Sequence, residues 1–237
     1  MPSCTAPVLG HRLIRHMGSN GLQVSSPVVL TYKENWLHLN KNNKLIYRFK
    51  EIVGRIFSIF GLTPNQWTFI SLIVVIVAAW FIVNLNFITA AMLISLSVFL
   101  DVVDGAVARH SGKATASGGY FDTIVDRYIE ATVIFALLFV ELPNFLIESK
   151  LWLFAYFFGS FMTTYVKACA KEKDLIKTEL VGGFLGRAER MILLILGMLL
   201  TPLSLNYLVY IIAMLAVLSN LSVLHRIKLV LSGSKRD

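Results

Sequence analysis

Four aspartates within 26 residues are the groups in this sequence best suited to chemistry. Asp101 and Asp104 are spaced i, i+3, and Asp122 and Asp126 are spaced i, i+4, so each pair shares one face of a helix. Both pairs fall in apolar stretches, where a carboxylate costs about 2.5 to 3.5 kcal/mol on insertion scales. Carboxylates in such stretches are therefore candidate functional residues.

The two acidic faces are expected to meet, because a short loop containing Gly112, Gly118 and Gly119 joins the two helices. Four carboxylates in contact repel one another unless cations lie between them. Two divalent ions would cancel the formal charge, and all-oxygen ligands favour Mg²⁺, Mn²⁺ or Ca²⁺ over Zn²⁺. Two ions about 3.5 to 4 Å apart commonly clamp a transferring phosphoryl group. The spacing therefore predicts phosphoryl chemistry.

The residues around these acids follow a longer pattern, D-x2-D-G-x2-A-R-x8-G-x3-D-x3-D. Every fixed position of it is filled, by Asp101, Asp104, Gly105, Ala108, Arg109, Gly118, Asp122 and Asp126. This pattern resembles the signature of the CDP-alcohol phosphotransferases, membrane enzymes that transfer a phosphoalcohol from a CDP-activated donor to a hydroxyl acceptor and release CMP. The resemblance covers about residues 44–230.

The resemblance implies roles for individual residues. Asp101, Asp104 and Asp122 would be metal ligands, and Asp126 would be both a metal ligand and the general base. The donor nucleotide site would consist of Asn65, Asp104, Gly105, Ala108, Arg109, Gly118 and Asp122. Arg109 would contact the nucleotide phosphates, with snorkelling or pairing to an acid as the alternative.

Asn65 lies in the segment 63–68, which is similar to the P-N-x-x-T element of many family members. The simpler interpretation of this segment is helix capping, with Thr63 as the cap and Pro64 at the first helical position.

Three basic residues, Lys167, Arg187 and Arg190, lie in segments that look like those of phosphatidylinositol-phosphate synthases and related archaeal enzymes. By this resemblance they would bind the phosphate of a polyol phosphate acceptor such as inositol phosphate. The alternative is that they are topology charges, with Arg190 in a pair with Glu189 or another local partner, and that the acceptor is glycerol phosphate, serine or another alcohol. For Glu130, one turn after Asp126, a structural ion pair is expected.

Composition favours a membrane protein, since 56% of residues are hydrophobic and only 15% are charged. We expect an all-α, polytopic fold with six spans preceded by an interfacial amphipathic helix from Leu45. The apolar stretches cover residues 67–85, 87–108, 119–140, 151–168, 191–205 and 207–230. The fifth is the weakest, because Pro202 and Asn206 interrupt it. A membrane cation transporter is a rival class, but no inverted repeat is evident.

The chain divides into a tail or linker at 1–42, a membrane domain at 43–231 and a basic tail at 232–237. Lys and Arg concentrate in alternate loops, which predicts that both termini and the active site face the cytoplasm. The same asymmetry accounts for the net charge of +8 without a nucleic-acid partner. Membrane lipids are the expected surroundings, and the resemblance implies a homodimer.

Overall fold

The computed structural model describes residues 44–176 and 185–233, which form seven α-helices and no strand. The helices are α1 (Lys44–Ser58), α2 (Pro64–Val83), α3 (Phe87–His110), α4 (Ala116–Leu138), α5 (Ser149–Glu172), α6 (Arg187–Leu199) and α7 (Leu205–Gly233). The all-helical prediction is confirmed for this part of the chain. The predicted tail at 1–42, and most of the one at 232–237, lie outside the described residues.

The start of α2 has the cap that the sequence predicts. Thr63 is the N-cap, its hydroxyl accepts a hydrogen bond from the Gln66 backbone N–H, and Pro64 occupies the first turn. Gln66 Oε1 in turn accepts from the Thr63 backbone N–H at 2.8 Å, which completes a capping box. Gly61, with a φ of 69°, lies between this cap and the end of α1.

Among the described residues, three helices, α2, α3 and α7, are long and apolar enough to cross a membrane by length and composition. Helices α4 and α5 have 23 and 24 residues but carry more charged side chains. Helix α6 has only 13 residues, about 20 Å at 1.5 Å per residue. The predicted bounds of the fifth stretch, 191–205, are therefore wrong. The helix begins earlier, at Arg187, and ends before Pro202, whose ring cannot continue it.

The main core is formed by buried, mostly aliphatic side chains from six helices, α2 to α7, including Val75, Ile94, Ile129, Leu153, Leu194 and Ile212. A second cluster joins α1 to the carboxyl-terminal half of α3 and includes Val53, Trp67, Leu100, Val103, Ala106 and Val107. The second cluster fixes the half of α3 that carries the first acidic pair.

Helix α1 approaches α3 closely at Gly54. A Cβ at this position would lie 2.7 Å from the Ala106 carbonyl oxygen. The opposite face of α1 exposes Phe49, Ile52 and Ile56. This face is therefore apolar and exposed with respect to the part of the chain that the structure describes.

A similar close approach joins α5 and α7 at Gly159, where a Cβ would lie 2.7 Å from Asn220 Nδ2 and 2.9 Å from Ser219 Cβ. Asn220 Nδ2 donates to the Ala155 carbonyl at 2.9 Å, so this side chain is not free to move away. We expect Gly159→Ala to lower the free energy of unfolding by about 1 to 3 kcal/mol through overpacking. Thermal unfolding of the purified protein in detergent measures the loss.

Gly119→Ala is the matched control, because Gly119 is also helical but a Cβ there meets no atom within 4 Å. Alanine in an open helical position stabilises by roughly 0.4 to 1 kcal/mol. Equal melting temperatures for the two variants would contradict the packing role of Gly159.

Candidate active site

The acidic residues are positioned by two helix ends that follow one another in the chain, the carboxyl end of α3 and the amino end of α4. Residues 111–115 connect them, and Thr115 caps α4 by accepting a hydrogen bond from the Gly118 backbone N–H at 3.1 Å. Gly118 and Gly119 therefore lie in the first turn of α4, so the prediction that they belong to the loop is wrong. Of the three glycines only Gly112, with a φ of 66°, belongs to the connection.

Three of the four predicted aspartates meet in one cluster. Asp101, Asp122 and Asp126 each offer a carboxylate oxygen, and these oxygens lie within 4.8 Å of one another. Asp104 is only 5% exposed, and one of its oxygens accepts a hydrogen bond from Thr68 Oγ1 at 2.7 Å. Thr68 thus ties the fourth aspartate to α2, a contact that belongs to the P-N-x-x-T element.

Arg187, at the start of α6, is a positive charge against this cluster. Its Nη1 donates to Asp101 Oδ1 at 3.1 Å and to Oδ2 at 3.2 Å, and it also pairs with Asp126. The Arg187 side chain is 18% exposed. The three clustered carboxylates and this guanidinium leave a formal charge of −2.

The cluster suits a divalent metal ion in both charge and donor type. Asp122 Oδ1 is buried and has no hydrogen-bond partner among residues 44–176 and 185–233. A buried carboxylate oxygen without a partner is costly, and a bound cation would satisfy it. Oxygen-only ligands at a site of net negative charge match the preferences of Mg²⁺, Mn²⁺ and Ca²⁺.

Behind the cluster lies a second group of charges centred on Glu130. Glu130 and Arg190 are both 2% exposed, and Arg190 Nε and Nη2 donate to the two Glu130 oxygens at 2.8 and 3.0 Å. Arg127 Nη1 and the Tyr156 hydroxyl donate to the same carboxylate at 2.8 and 3.1 Å. The expected structural ion pair of Glu130 is therefore confirmed.

This arrangement places Arg190 differently from the sequence expectation. Its guanidinium is bound to Glu130 and to the Leu185 carbonyl, so it holds α6 against α4 instead of facing the aspartate cluster. Nor does it take Glu189 as its partner, since Glu189 Oε2 accepts from the Gly186 backbone N–H and caps α6. The contact of Tyr156 with Glu130 was not predictable, because a single tyrosine in an apolar stretch belongs to no motif.

The residues predicted to bind nucleotide come from three helices. A Cβ on Gly105 would lie 3.3 Å from Arg109 Nη1, so the Arg109 guanidinium folds back over Gly105 on α3. A Cβ on Gly118 would lie 3.4 Å from Asn65 Oδ1, which places Asn65 of α2 beside α4. Ala108 is half-buried on α3.

The third predicted acceptor residue, Lys167, is half-buried near the carboxyl end of α5. The structure thus groups Arg187 with the aspartates, Asn65 with Gly118, and Arg190 with Glu130.

Comparison with known proteins assigns this arrangement to a family. The sequence profile described as CDP-alcohol phosphatidyltransferase matches residues 61–221, which include all four aspartates. The chain belongs to this family. It is thus a CDP-alcohol phosphotransferase, as the resemblance of the signature implied.

Individual relatives and solved structures agree. The chain is 30% identical over 166 residues to an archaetidylinositol phosphate synthase of Pyrococcus horikoshii, covering 70% of this chain and 84% of the relative. The phosphatidylinositol phosphate synthase of Mycobacterium tuberculosis has a similar fold. Its structure with CDP-DAG bound gives a TM-score of 0.68 at 24% identity, covering 77% of this chain and 94% of that one. Its structure with manganese and citrate gives a TM-score of 0.67 at 24% identity, with coverages of 76% and 88%.

Proposed function

We propose that this CDP-alcohol phosphotransferase transfers the phosphoalcohol to the hydroxyl of a polyol phosphate such as inositol phosphate, with release of CMP. The observation that carries the proposal is the cluster of Asp101, Asp122 and Asp126, with the buried unpartnered oxygen of Asp122. A cluster of this kind is suited to holding cations against a diphosphate. The choice of acceptor is supported by the inositol-phosphate relative and by Arg187 beside the cluster.

Two divalent cations, Mg²⁺ or Mn²⁺ with Ca²⁺ as a possible occupant, are proposed to be held by Asp101, Asp104, Asp122 and Asp126. The manganese in the mycobacterial neighbour supports this assignment. When bound, such ions would neutralise charge on the diphosphate and act as Lewis acids. Thr68 would orient Asp104 through its hydrogen bond.

The donor is proposed to be a CDP-alcohol, in line with the CDP-DAG of the mycobacterial neighbour. Its nucleotide would be bound by Asn65, Asp104, Gly105, Ala108, Arg109, Gly118 and Asp122. The lack of side chains at Gly105 and Gly118 would let the nucleotide approach the helix backbones. Arg109, whose guanidinium lies over Gly105, would donate to a phosphate of the donor.

The chemical step assigned to the protein is proton transfer. Asp126 would take the proton of the acceptor hydroxyl as that oxygen attacks the phosphorus. Arg187 and Lys167 would hold the acceptor's phosphate, Arg187 in bidentate fashion. Arg190 would act through Arg187, since the two lie one turn apart on α6 and Glu130 fixes Arg190.

In the membrane, we propose six spans, α2 to α7, with α1 in the interface and both termini and the active site on the cytoplasmic side. The short α6 would then reach only part of the way across the bilayer, beside longer neighbours. A homodimer surrounded by membrane lipids is the proposed assembly.

The test is an assay of the purified protein against a small matrix of substrates. CDP-DAG, a CDP-archaeol and CDP-inositol would each be combined with inositol phosphate, inositol, glycerol phosphate and serine, and CMP release would be measured. We expect CMP release only with a divalent ion, and fastest with inositol phosphate. Preference for inositol or serine would refute the phosphorylated acceptor, and CMP release undiminished by excess chelator would refute the metal site.

Arg187→Ala is expected to raise the acceptor KM roughly ten- to a hundredfold, because each charge-assisted bond to a phosphate contributes about 1.5 to 3 kcal/mol. The donor KM should change much less. The matched comparison is inositol phosphate against inositol, since only the former offers a phosphate to Arg187. Equal effects of Arg187→Ala on both acceptors would show that this residue is not a phosphate ligand.

A further inference from the structure

Helices α4 and α6 are joined by two ion pairs, one turn apart. The inner pair joins Glu130 to Arg190, and the outer pair joins Asp126 to Arg187. The inner pair is 2% exposed on both sides, whereas the outer pair is 18% exposed on both sides. The inner pair is therefore inaccessible to solvent. In the outer pair, a ligand could reach the side chains and replace one partner.

The outer pair engages the carboxylates that a cation would use. Arg187 Nη1 lies against both oxygens of Asp101 and against Asp126 Oδ1, and these two residues also belong to the candidate metal cluster. A guanidinium and a divalent ion would compete for these oxygens. The ion carries twice the charge, and its presence would repel the guanidinium at short range.

In its observed position, Arg187 uses only some of the hydrogen-bond donors of its guanidinium group. Arg187 Nε is buried and makes no hydrogen bond to the part of the chain that the structure describes. Arginine carries five N–H donors in a planar fork, which matches the oxygens of a phosphate. The outer pair therefore has both a competitor for its carboxylates and an alternative partner for its guanidinium.

We infer that Arg187 is an exchangeable counter-ion of the metal site. It neutralises Asp101 and Asp126 while the cation is absent, and cation binding releases it to the acceptor's phosphate. The Glu130–Arg190 pair keeps α6 in place during the exchange. This inference rests on the proposed function and adds an order of events, in which the cation binds before the phosphorylated acceptor.

Mn²⁺ affinity of the full chain in detergent, measured from the free-ion electron paramagnetic resonance signal, tests the competition. Arg187→Gln should bind Mn²⁺ roughly tenfold more tightly than the wild type, the equivalent of about 1.4 kcal/mol. Arg187→Lys, which keeps the charge, should stay within about threefold of the wild type. Lys113→Gln is the control, since Lys113 is an exposed cation in the loop between α3 and α4.

If Lys113→Gln increased the Mn²⁺ affinity as much as Arg187→Gln does, the inference would be overturned. Removing any nearby positive charge would then be enough to strengthen Mn²⁺ binding. Unchanged or weaker Mn²⁺ binding in Arg187→Gln would overturn it as well. If Mn²⁺ binds the wild type and is lost in Asp122→Asn, the proposed metal site stands whatever Arg187 does. A wild type that binds no Mn²⁺ would instead refute the proposed function together with the inference.

The wild-type protein offers a second measurement that needs no folded Arg187 variant. Phenylglyoxal modifies accessible guanidinium groups, and mass spectrometry reports the extent at each arginine. Saturating Mn²⁺ should increase modification of Arg187 several-fold and leave the sealed Arg190 unchanged. No increase at Arg187, or the same increase in the metal-deficient Asp122→Asn protein, would overturn the release step.

Discussion

Asp122→Asn is expected to reduce CMP release by at least about a thousandfold, because a metal ligand contributes several kcal/mol and each 1.36 kcal/mol is a factor of ten. The buried Oδ1 of Asp122 has no hydrogen-bond partner in residues 44–176 and 185–233, so changing this atom breaks no hydrogen bond there. The variant should therefore fold with a melting temperature close to that of the wild type. A discontinuous assay of CMP, run over a range of Mn²⁺ concentrations, measures the loss.

Asp174→Asn is the control, since Asp174 is exposed after the end of α5 and its left-handed backbone, with a φ of 54°, accepts asparagine equally well. It removes the same formal charge and should keep full activity. If Asp122→Asn retained more than a tenth of the wild-type rate, Asp122 would not be a metal ligand. Recovery at high Mn²⁺ would instead indicate a ligand of secondary importance.

The acidic pairs could be predicted from sequence because their geometry is local. The spacing of Asp101 and Asp104, and of Asp122 and Asp126, is fixed by the helical repeat, and the loop at 111–115 is short enough to bring the two helices together. The cap at Thr63 is local in the same sense, and it too was predictable.

The contacts of α6 could not be predicted, because they join residues far apart in sequence. Arg187 meets Asp101 across 86 positions, and Arg190 meets Glu130 across 60. The two arginines are three residues apart, so a small change in the rotation or height of α6 would exchange their partners. Sequence could therefore name both arginines, but only packing decides which one faces the aspartates.

The length of α6 shows a different limit. Its apolar composition continues through Leu199 and Leu200, and hydropathy alone extends the stretch to Leu205. The helix nevertheless ends at Leu199, where a turn containing Pro202 leads into α7. Composition reports where the chain is apolar, whereas the backbone constraint of proline decides where the helix ends.

Glu130→Gln is expected to lower the free energy of unfolding by about 3 to 5 kcal/mol, the usual cost of removing one partner of a buried ion pair. Glu130 is the carboxylate shared by Arg127, Arg190 and the Tyr156 hydroxyl. Glutamine keeps the shape but leaves two buried guanidinium groups without a counter-charge. Denaturant or thermal unfolding in detergent, with folded yield as a second readout, measures the effect.

Two milder variants show whether charge is responsible. Tyr156→Phe removes one hydrogen bond to the same carboxylate and should cost only about 1 kcal/mol. Glu51→Gln removes the partner of Arg55 in an exposed pair at 4.0 Å, where losses are about 0 to 1 kcal/mol. Glu130→Gln with a loss no greater than that of Glu51→Gln would mean that Glu130 does not carry the counter-charge of the two arginines.

The double variant of Glu130→Gln with Arg190→Gln separates the ion pair from the rest of the packing. The distances of 2.8 and 3.0 Å indicate that this pair joins α4 to α6 directly. The double variant should therefore lose less free energy of unfolding than the sum of the losses in the two single variants. The difference should reach roughly 1.5 to 3 kcal/mol, the upper range for residues in direct contact. Because the same pair fixes the helix that carries Arg187, the double variant should still show a raised KM for inositol phosphate. If the two losses of stability were simply additive, Glu130 and Arg190 would not interact directly. The destabilisation by Glu130→Gln would then arise from the loss of its contacts with Arg127 and Tyr156.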